Sequence, residues 1–477
     1  MKPKNLLIIM SDEHSFETSG CYGHPIVKSP NIDALAARGV RFTNAYTPSP
    51  ICVPTRAAIQ TGRHVHEIGT WDSATPYNGS PPSWGHELVV QGRRSVSIGK
   101  LHFRSKEDDN GFDPEICPMH VVNGLGWIQG LLRDELPDNS ADAREYAEMI
   151  GPGGSSYVEY DRRVCAEACN WLEYEAGRED TPWTAFVSMV APHYPLTPPD
   201  EFGALYDPAE MDEPRDPGAC DRHPYLREFK KFWNYEDYFT PESRAVARAS
   251  YYGLISYLDD NVGKILKALD ASGQADETVV IYTSDHGDMI GNHGLWAKCT
   301  MYEDSAGVPL IMAGPGIAEG EVAEDVCTLL DLHPTVMEVA GIEPKLDAAP
   351  RAGVSLFYVA AGKAPGRTIL SEYHDGGSTS GFYMARWDKW KYVDYLDYPP
   401  QLFDLQADPL ELDDLGESPA HAHVLAEGRE RLEAILDPEA TNARALAEQA
   451  ARVAQHGGRE KLLAHGTFGY TPIEGST

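Results

Sequence analysis

The chain has 477 residues, too many for one ordinary domain, and 42% of them are hydrophobic, enough for a large core. Its 73 acidic side chains against 40 basic ones give a formal net charge of -33. That balance excludes a nucleic-acid or anionic-membrane partner, and it requires any anionic ligand to be held by a local knot of cations.

In chain order, the run "NLLIIM" (5–10) predicts a buried first strand. It is too short for the apolar part of a signal peptide, and no segment reaches the length of a membrane span, so a cytoplasmic protein is expected. "NIDALAARG" (31–39) predicts a helix capped by Asn31 and stopped by Gly39, and "VRFTNAY" (40–46) an extended stretch. Residues 94–99, 184–190, 277–284 and 308–314 read as further strands, and a long helical pattern covers 241–271. The alternation predicts an α/β fold, a large mixed and mainly parallel sheet sandwiched by helices.

Segments 103–155 and 194–240, rich in Pro, Gly, Asp and aromatics, read as insertions that shape a pocket mouth. After residue 375 the texture changes to "GFYMARWDKWKYVDYLDYPPQLFDL", whose alternating aromatic runs predict a small antiparallel sheet. The expected division is a catalytic domain over 1–375 and a smaller α+β subdomain over 376–477 with an alanine-rich helix near 439–456. The closing "HGTFGYTPIEGST" is too apolar for a free end, which predicts docking on a neighbouring subunit of a homo-oligomer, a dimer or tetramer. The eight cysteines follow neither a zinc spacing nor a disulfide framework.

The run "ICVPTR" (51–56) places Cys52 where a helix begins, with Pro54 in its first turn and Gly62 at its end. Backbone N–H groups at such a terminus favour anions, although a lone cysteine there also reads as simple packing. Asp12 and Glu13 directly follow the first strand, and Asp285 with His286 follows strand 277–284. The carboxyl ends of strands form the ligand crevice of open α/β sheets, so these four side chains are candidates for one metal site. Each acidic pair alone also reads as a strand-end turn or a helix cap. Their mostly oxygen shell suits Ca²⁺, Mg²⁺ or Mn²⁺, while the single histidine leaves other metals open.

Three stretches, in this order, carry a family resemblance: Cys52-x-Pro54-x-Arg56, "IGKLH" (98–102) and "SDHGDMIGNHGLWAK" (284–298). They resemble the signatures of type I sulfatases of the alkaline phosphatase superfamily, in the branch with choline sulfatase and arylsulfatases, and the likeness runs from residue 5 to about 415. The resemblance implies an alkaline phosphatase-like fold and hydrolysis of a small-molecule aryl or alkyl sulfate ester. It implies that a formylglycine-generating maturation enzyme converts Cys52 to formylglycine, whose hydrate attacks sulfur. A divalent metal, Ca²⁺ ahead of Mn²⁺ or Mg²⁺, lowers the pKa of the attacking hydroxyl, and loss of a proton from the second hydroxyl then expels sulfate.

The same resemblance implies that Asp12, Glu13, Asp285 and His286 bind the metal together with modified Cys52, although the Glu13 position is an aspartate or an amide in other members. Arg56 would hold the hydrate, and Lys100 and Lys298 would neutralise sulfate oxygens. His102 would be the base that collapses the hemiacetal, and His193 with Lys298 would stabilise the leaving oxygen. Asp288 and His293 are expected around the metal ligands rather than among them. The alternative is a phosphonate monoester or phosphodiester hydrolase with the same nucleophile. Such enzymes tend to lack the lysine and histidine that stand here at Lys100 and His102, which favours sulfate. Trp71, Tyr77, Trp84 and Trp296 read as packing residues ahead of pocket lining, and His64, His66, His86 and His120 have no support for a role beyond ordinary polar residues.

Overall fold

The computed structural model describes residues 4–140, 142–347, 349–466 and 469–473. Its strands are β1 (Asn5–Asp12), β2 (Gly39–Phe42), β3 (Ala45–Tyr46), β4 (Arg94–Lys100), β5 (Glu115–Met119), β6 (Trp183–Pro192) and β7 (Thr278–Ser284). They continue with β8 (Leu310–Ala313), β9 (Glu321–Ala323), β10 (Cys327–Thr328), β11 (Ile369–Tyr373), β12 (Phe382–Trp387), β13 (Trp390–Tyr395) and β14 (Gln401–Asp404). The helices that matter here are α1 (Pro30–Ala37), α2 (Cys52–Thr61), α3 (Ser156–Tyr174), α4 (Pro241–Ala271), α5 (Leu332–Ala340) and α6 (Pro438–Gln455).

The large sheet has the order β5-β4-β6-β1-β7-β8-β2-β9. It is parallel except at β8, which runs antiparallel to both β7 and β2. β1 pairs with β6 on one side and β7 on the other, and its residues are buried throughout. Leu7 and Ile9 enter a core shared with α1, α3 and α4, whereas Leu6, Ile8 and Met10 enter a second core with α2 and α5. A strand covered on both faces needs apolar side chains at every position, which is why "NLLIIM" does not alternate. The expected sandwich of helices around a mainly parallel sheet is what forms.

Two local expectations differ. The N-cap of α1 is Ser29 rather than Asn31, and the helix passes into Arg38 before Gly39. Its first turn is capped from a distance, because Asp259 on α4 accepts from the backbone N–H of Asn31 (3.0 Å) and Ile32 (2.8 Å). Gly39 instead opens β2, where a Cβ would stand 2.3 Å from the Met312 carbonyl oxygen of β8. The 40–46 stretch is also divided, with β2 in the large sheet and β3 paired to β10.

β11 to β14 form a separate four-stranded antiparallel sheet in sequence order. This sheet starts at Ile369, ahead of the change in texture at residue 375, because its first strand is the apolar "ILSEY" without the aromatic alternation. α6 then returns to the large domain, where Trp71 Nε1 donates to Glu448 (2.7 Å) and Gln449 Nε2 to Asp72 (2.7 Å).

The described part of the tail packs on its own chain, with the half-buried Tyr470 ring edge-on to Tyr157 (5.2 Å) and Tyr194 (5.6 Å). Phe468 and the residues after Ile473 lie outside the described residues. No helix among the described residues is long and apolar enough to cross a membrane.

Candidate active site

Adjacent parallel strands put their carboxyl ends on one edge of the sheet. Asp12 closes β1, Lys100 closes β4, His193 follows β6, and Asp285 and His286 follow β7. Cys52 is the first residue of α2, which Gly62 ends in a left-handed conformation (φ 66°). The loops are bent at the same place. Glu13 (φ 71°), His102 (φ 55°), Ala297 (φ 56°) and Cys299 (φ 74°) all take the left-handed backbone region, the last two on either side of Lys298. Such conformations cost of order 1 kcal/mol or more for non-glycine residues and collect where function requires them.

Cys52 Sγ lies 3.1 Å from His286 Nε2 and 3.6 Å from Asp12 Oδ1. Asp12, Cys52, Asp285 and His286 each offer a ligand atom, all within 4.8 Å of one another and all from buried residues. His286 Nδ1 is 3.0 Å from the Gly287 carbonyl, to which it must donate, so Nε2 carries the free lone pair that faces the thiol. Arg56 spans the two carboxylates, with Nη2 2.9 Å from Asp12 Oδ2 and Nε 2.8 Å from Asp285 Oδ2. Its Nη1 donates to the Lys100 carbonyl and to Ser188 Oγ, both at 2.9 Å. The guanidinium thus engages the Oδ2 atom of each aspartate, while Asp12 Oδ1 stays near Cys52 and Asp285 Oδ1 near His286 (3.7 Å).

Glu13 is placed differently from the other expected ligands. Its Oε2 lies 3.0 Å from Lys298 Nζ and 3.4 Å from His193 Nε2, and its Oε1 has no hydrogen-bond partner among the described residues. It groups with Asp12 and His193 rather than with Cys52, Asp285 and His286.

Lys100 Nζ is 2.5 Å from Asp12 Oδ2. Arg56 and Lys100, both buried, and the largely buried Lys298 thus gather three cations at one place in a chain of charge -33. Burial works against the charge of Asp12, but Lys100, His193, Arg56 and Lys298 together hold its carboxyl well below the usual range. Burial outweighs Lys298 at Glu13 and raises it to about 7. Burial and then Asp12 push the Cys52 thiol up to about 12, so the unmodified side chain stays protonated at neutral pH. His102 and His193 are pushed well below their ordinary value by burial, then by Lys100 and by Lys298 respectively.

A cavity of about 140 Å³ opens onto Cys52, His102, His193 and Lys298. Its walls include Trp127, Trp233 and Tyr235, all from the two insertions, together with Trp296, Tyr157 and Tyr470. The structure thus brings every sequence-identified candidate to one edge of the sheet. Of the four aromatics considered from sequence, Trp296 lines the cavity; Trp71 supports α6, and Tyr77 and Trp84 lie in the core. Asp288 accepts from Tyr146 and the Ile290 amide beside Glu13. His293 stacks flat on Tyr302 at 4.2 Å and is engaged there rather than around the ligands. Sequence reasoning missed Ser73, Tyr157, Tyr470 and Thr471. The only signal for the last two was the apolar character of the tail.

The profile of the Sulfatase family matches residues 4–342. The chain belongs to the sulfatase family. It is an enzyme that hydrolyses sulfate esters, with the fold of the alkaline phosphatase superfamily. The C-terminal profile of N-sulphoglucosamine sulphohydrolase matches residues 291–437. This sulfatase is 34% identical over 429 residues to choline-sulfatase of Rhizobium meliloti (strain 1021), covering 87% of this chain and 83% of the relative. To arylsulfatase K of Homo sapiens it is 31% identical over 439 residues, covering 86% and 78%. It superposes on the phosphonate monoester hydrolase of Agrobacterium radiobacter with a TM-score of 0.73 at 22% identity, over 93% of this chain and 96% of the other, which shows a shared fold.

Proposed function

We propose that this sulfatase cleaves sulfate monoesters of small alcohols or phenols with a formylglycine hydrate at position 52. Cys52 is the substrate of a maturation enzyme, and the buried donors around it would hold one divalent ion, Ca²⁺. The observation that carries this reading is the convergence of Asp12, Asp285 and His286 on the Cys52 side chain at a helix start.

The donors suit such an ion: two aspartate oxygens set by Arg56, one imidazole lone pair, and the unpartnered Glu13 Oε1 nearby. Asp12, Asp285, His286 and the modified residue 52 would hold it, and bound there it would lower the pKa of a hydroxyl on that residue. Lys100, fully buried, and Lys298, largely buried at the cavity wall, supply fixed positive charge for sulfate oxygens, and charge interactions strengthen where water has little access. Neutral His102 takes a proton from the second hydroxyl, and Lys298 with His193 stabilises the leaving oxygen. Lys298 keeps its charge in that role against the opposing effect of burial, with the Glu13 carboxylate at 3.0 Å and Asp12 as the anions that remain beside it after Cys52 is modified. A cavity of about 140 Å³ with aromatic walls suits a compact, largely apolar alcohol part.

Two measurements test the reading. Mass spectrometry of the Cys52 peptide from co-expression with the maturation system should show a loss of roughly 18 Da, the change from thiol to aldehyde. Matured enzyme should hydrolyse 4-nitrophenyl sulfate faster than an aryl phosphonate monoester. The fold shared with phosphonate monoester hydrolases makes that ester the competing substrate, and a large excess of rate on it would replace sulfate in the proposal.

A further inference from the structure

A described segment of the C-terminal tail forms part of the wall around the reacting groups: Gly469, Tyr470 and Thr471 all line the cavity that holds Cys52 and His102. We propose that Thr471 is a positioning residue for His102, so that the C-terminal tail completes the active site of its own chain. The inference rests on the reading of His102 as the base.

His102 is buried, with its backbone turned left-handed and its amide donating to Met119 O at 2.8 Å. Among the described residues its ring makes one hydrogen bond, between Nε2 and Thr471 Oγ1 at 3.0 Å, and Nδ1 has no partner. A histidine base is ordinarily oriented by a group on its second nitrogen. Among the described residues no carboxylate takes that place, and the threonine hydroxyl is what sets the rotation of the ring. When the ring takes a proton both nitrogens become donors, and Thr471 Oγ1 is the acceptor already in place for Nε2.

The tail is seated for this purpose. The Tyr470 ring is wedged edge-on against Tyr157 and Tyr194, and the same Tyr157 packs edge-on against His193 at 5.7 Å. Gly469 fits closely under Tyr194, whose ring would stand 3.2 Å from an added Cβ. One short segment therefore supports both histidines of the cavity.

The test uses the matured full-length enzyme, Thr471→Val, Thr471→Ser and a chain ended after Gly466. With 4-nitrophenyl sulfate, Thr471→Val should lower kcat about tenfold, the scale of one lost hydrogen bond, while KM stays within about twofold. Thr471→Ser should restore most of the rate, and the shortened chain should fall at least as far as Thr471→Val. A second readout needs no turnover: carbethoxylation of His102 by diethyl pyrocarbonate, followed on its peptide by mass spectrometry. It should accelerate several-fold in Thr471→Val and more in the shortened chain. Wild-type kcat in Thr471→Val, failure of Thr471→Ser to rescue, or unchanged His102 modification in the shortened chain would each overturn the proposal. An enzyme inactive on every sulfate ester would instead sink the reading of the reaction, while the modification rates still decide whether the tail holds the ring.

Discussion

Two knots of buried charge in this sulfatase use the same chemistry to different ends. Where the small sheet meets the large domain, Lys391 of β13 lies fully buried between Glu303 (2.6 Å) and Glu411 (2.7 Å) and donates to the Met301 carbonyl. The other oxygens of those carboxylates are also engaged: Glu411 Oε2 accepts from the Glu303 amide, and Glu303 Oε2 from Tyr46. At the strand ends, Arg56 and Lys100 are likewise buried against aspartates, but the knot is left open. Among the described residues Glu13 Oε1 has no partner, His286 Nε2 turns its lone pair to Cys52, and Lys298 faces a cavity. Buried charge by itself marks only a costly arrangement. Unpartnered donors and acceptors around a cavity mark a reactive one.

The sharpest test of this contrast is Cys52→Ala, which should cost at least about 10³-fold in kcat with little change in melting temperature. Next comes a matched pair of substitutions. Lys298→Met should lower kcat by about 10²–10³, the scale of losing one preorganised donor, and cost less stability than Lys391→Met, because it strands one buried carboxylate, Glu13, rather than two. Lys391→Met should do the reverse, destabilising the fold by about 3–5 kcal/mol through two uncompensated carboxylates while the folded fraction keeps its kcat. Equal losses of activity in the two variants would erase the distinction.

Metal removal separates the knots at smaller amplitude. Saturating Ca²⁺ added to chelator-treated protein should raise the melting temperature, since an ion at 100 times its Kd stabilises by about 2.7 kcal/mol, and Asp285→Asn should abolish that rise. Lys391→Met should keep it. Calorimetry with and without the ion decides.

The smallest effect concerns pH. Burial raises Glu411 to about 7 against the pull of Lys391, above its ordinary value of 4.5. Between those values the folded chain keeps a proton that the unfolded chain has lost, so this group makes stability fall as pH rises from about 4.5 to 7. Glu411→Gln should flatten that slope, shifting the melting temperature by a few degrees relative to wild type at pH 8 compared with pH 5. An unchanged slope would mean that Glu411 does not hold the proton.

Much of the site was legible because its parts are local signals. Asp12–Glu13 and Asp285–His286 each follow an apolar run, Cys52 precedes a helix with Pro54 in its first turn, and "IGKLH" ends a strand. Less legible was how these pieces divide their work. Arg56, expected at the hydrate, spans the Asp12 and Asp285 carboxylates, and Glu13, expected among the metal ligands, pairs with Lys298. Both outcomes depend on which neighbour is nearest in space, a quantity that spacing along the chain does not carry.

By itself the sequence determined the central strands β1, β4, β6, β7 and β8, the long helix α4, the insertions that wall the pocket, and the strand-end pairs Asp12–Glu13 and Asp285–His286. Periodicity, turn chemistry and strand-end position are properties of short stretches, so they survive reading in one dimension. Only the tertiary structure decided that Asp259 caps α1, that Gly39 makes room for β8, and that Thr471 reaches His102 across 369 positions of chain. Those contacts are closed by packing between remote segments, and their partners leave no mark on each other's local sequence.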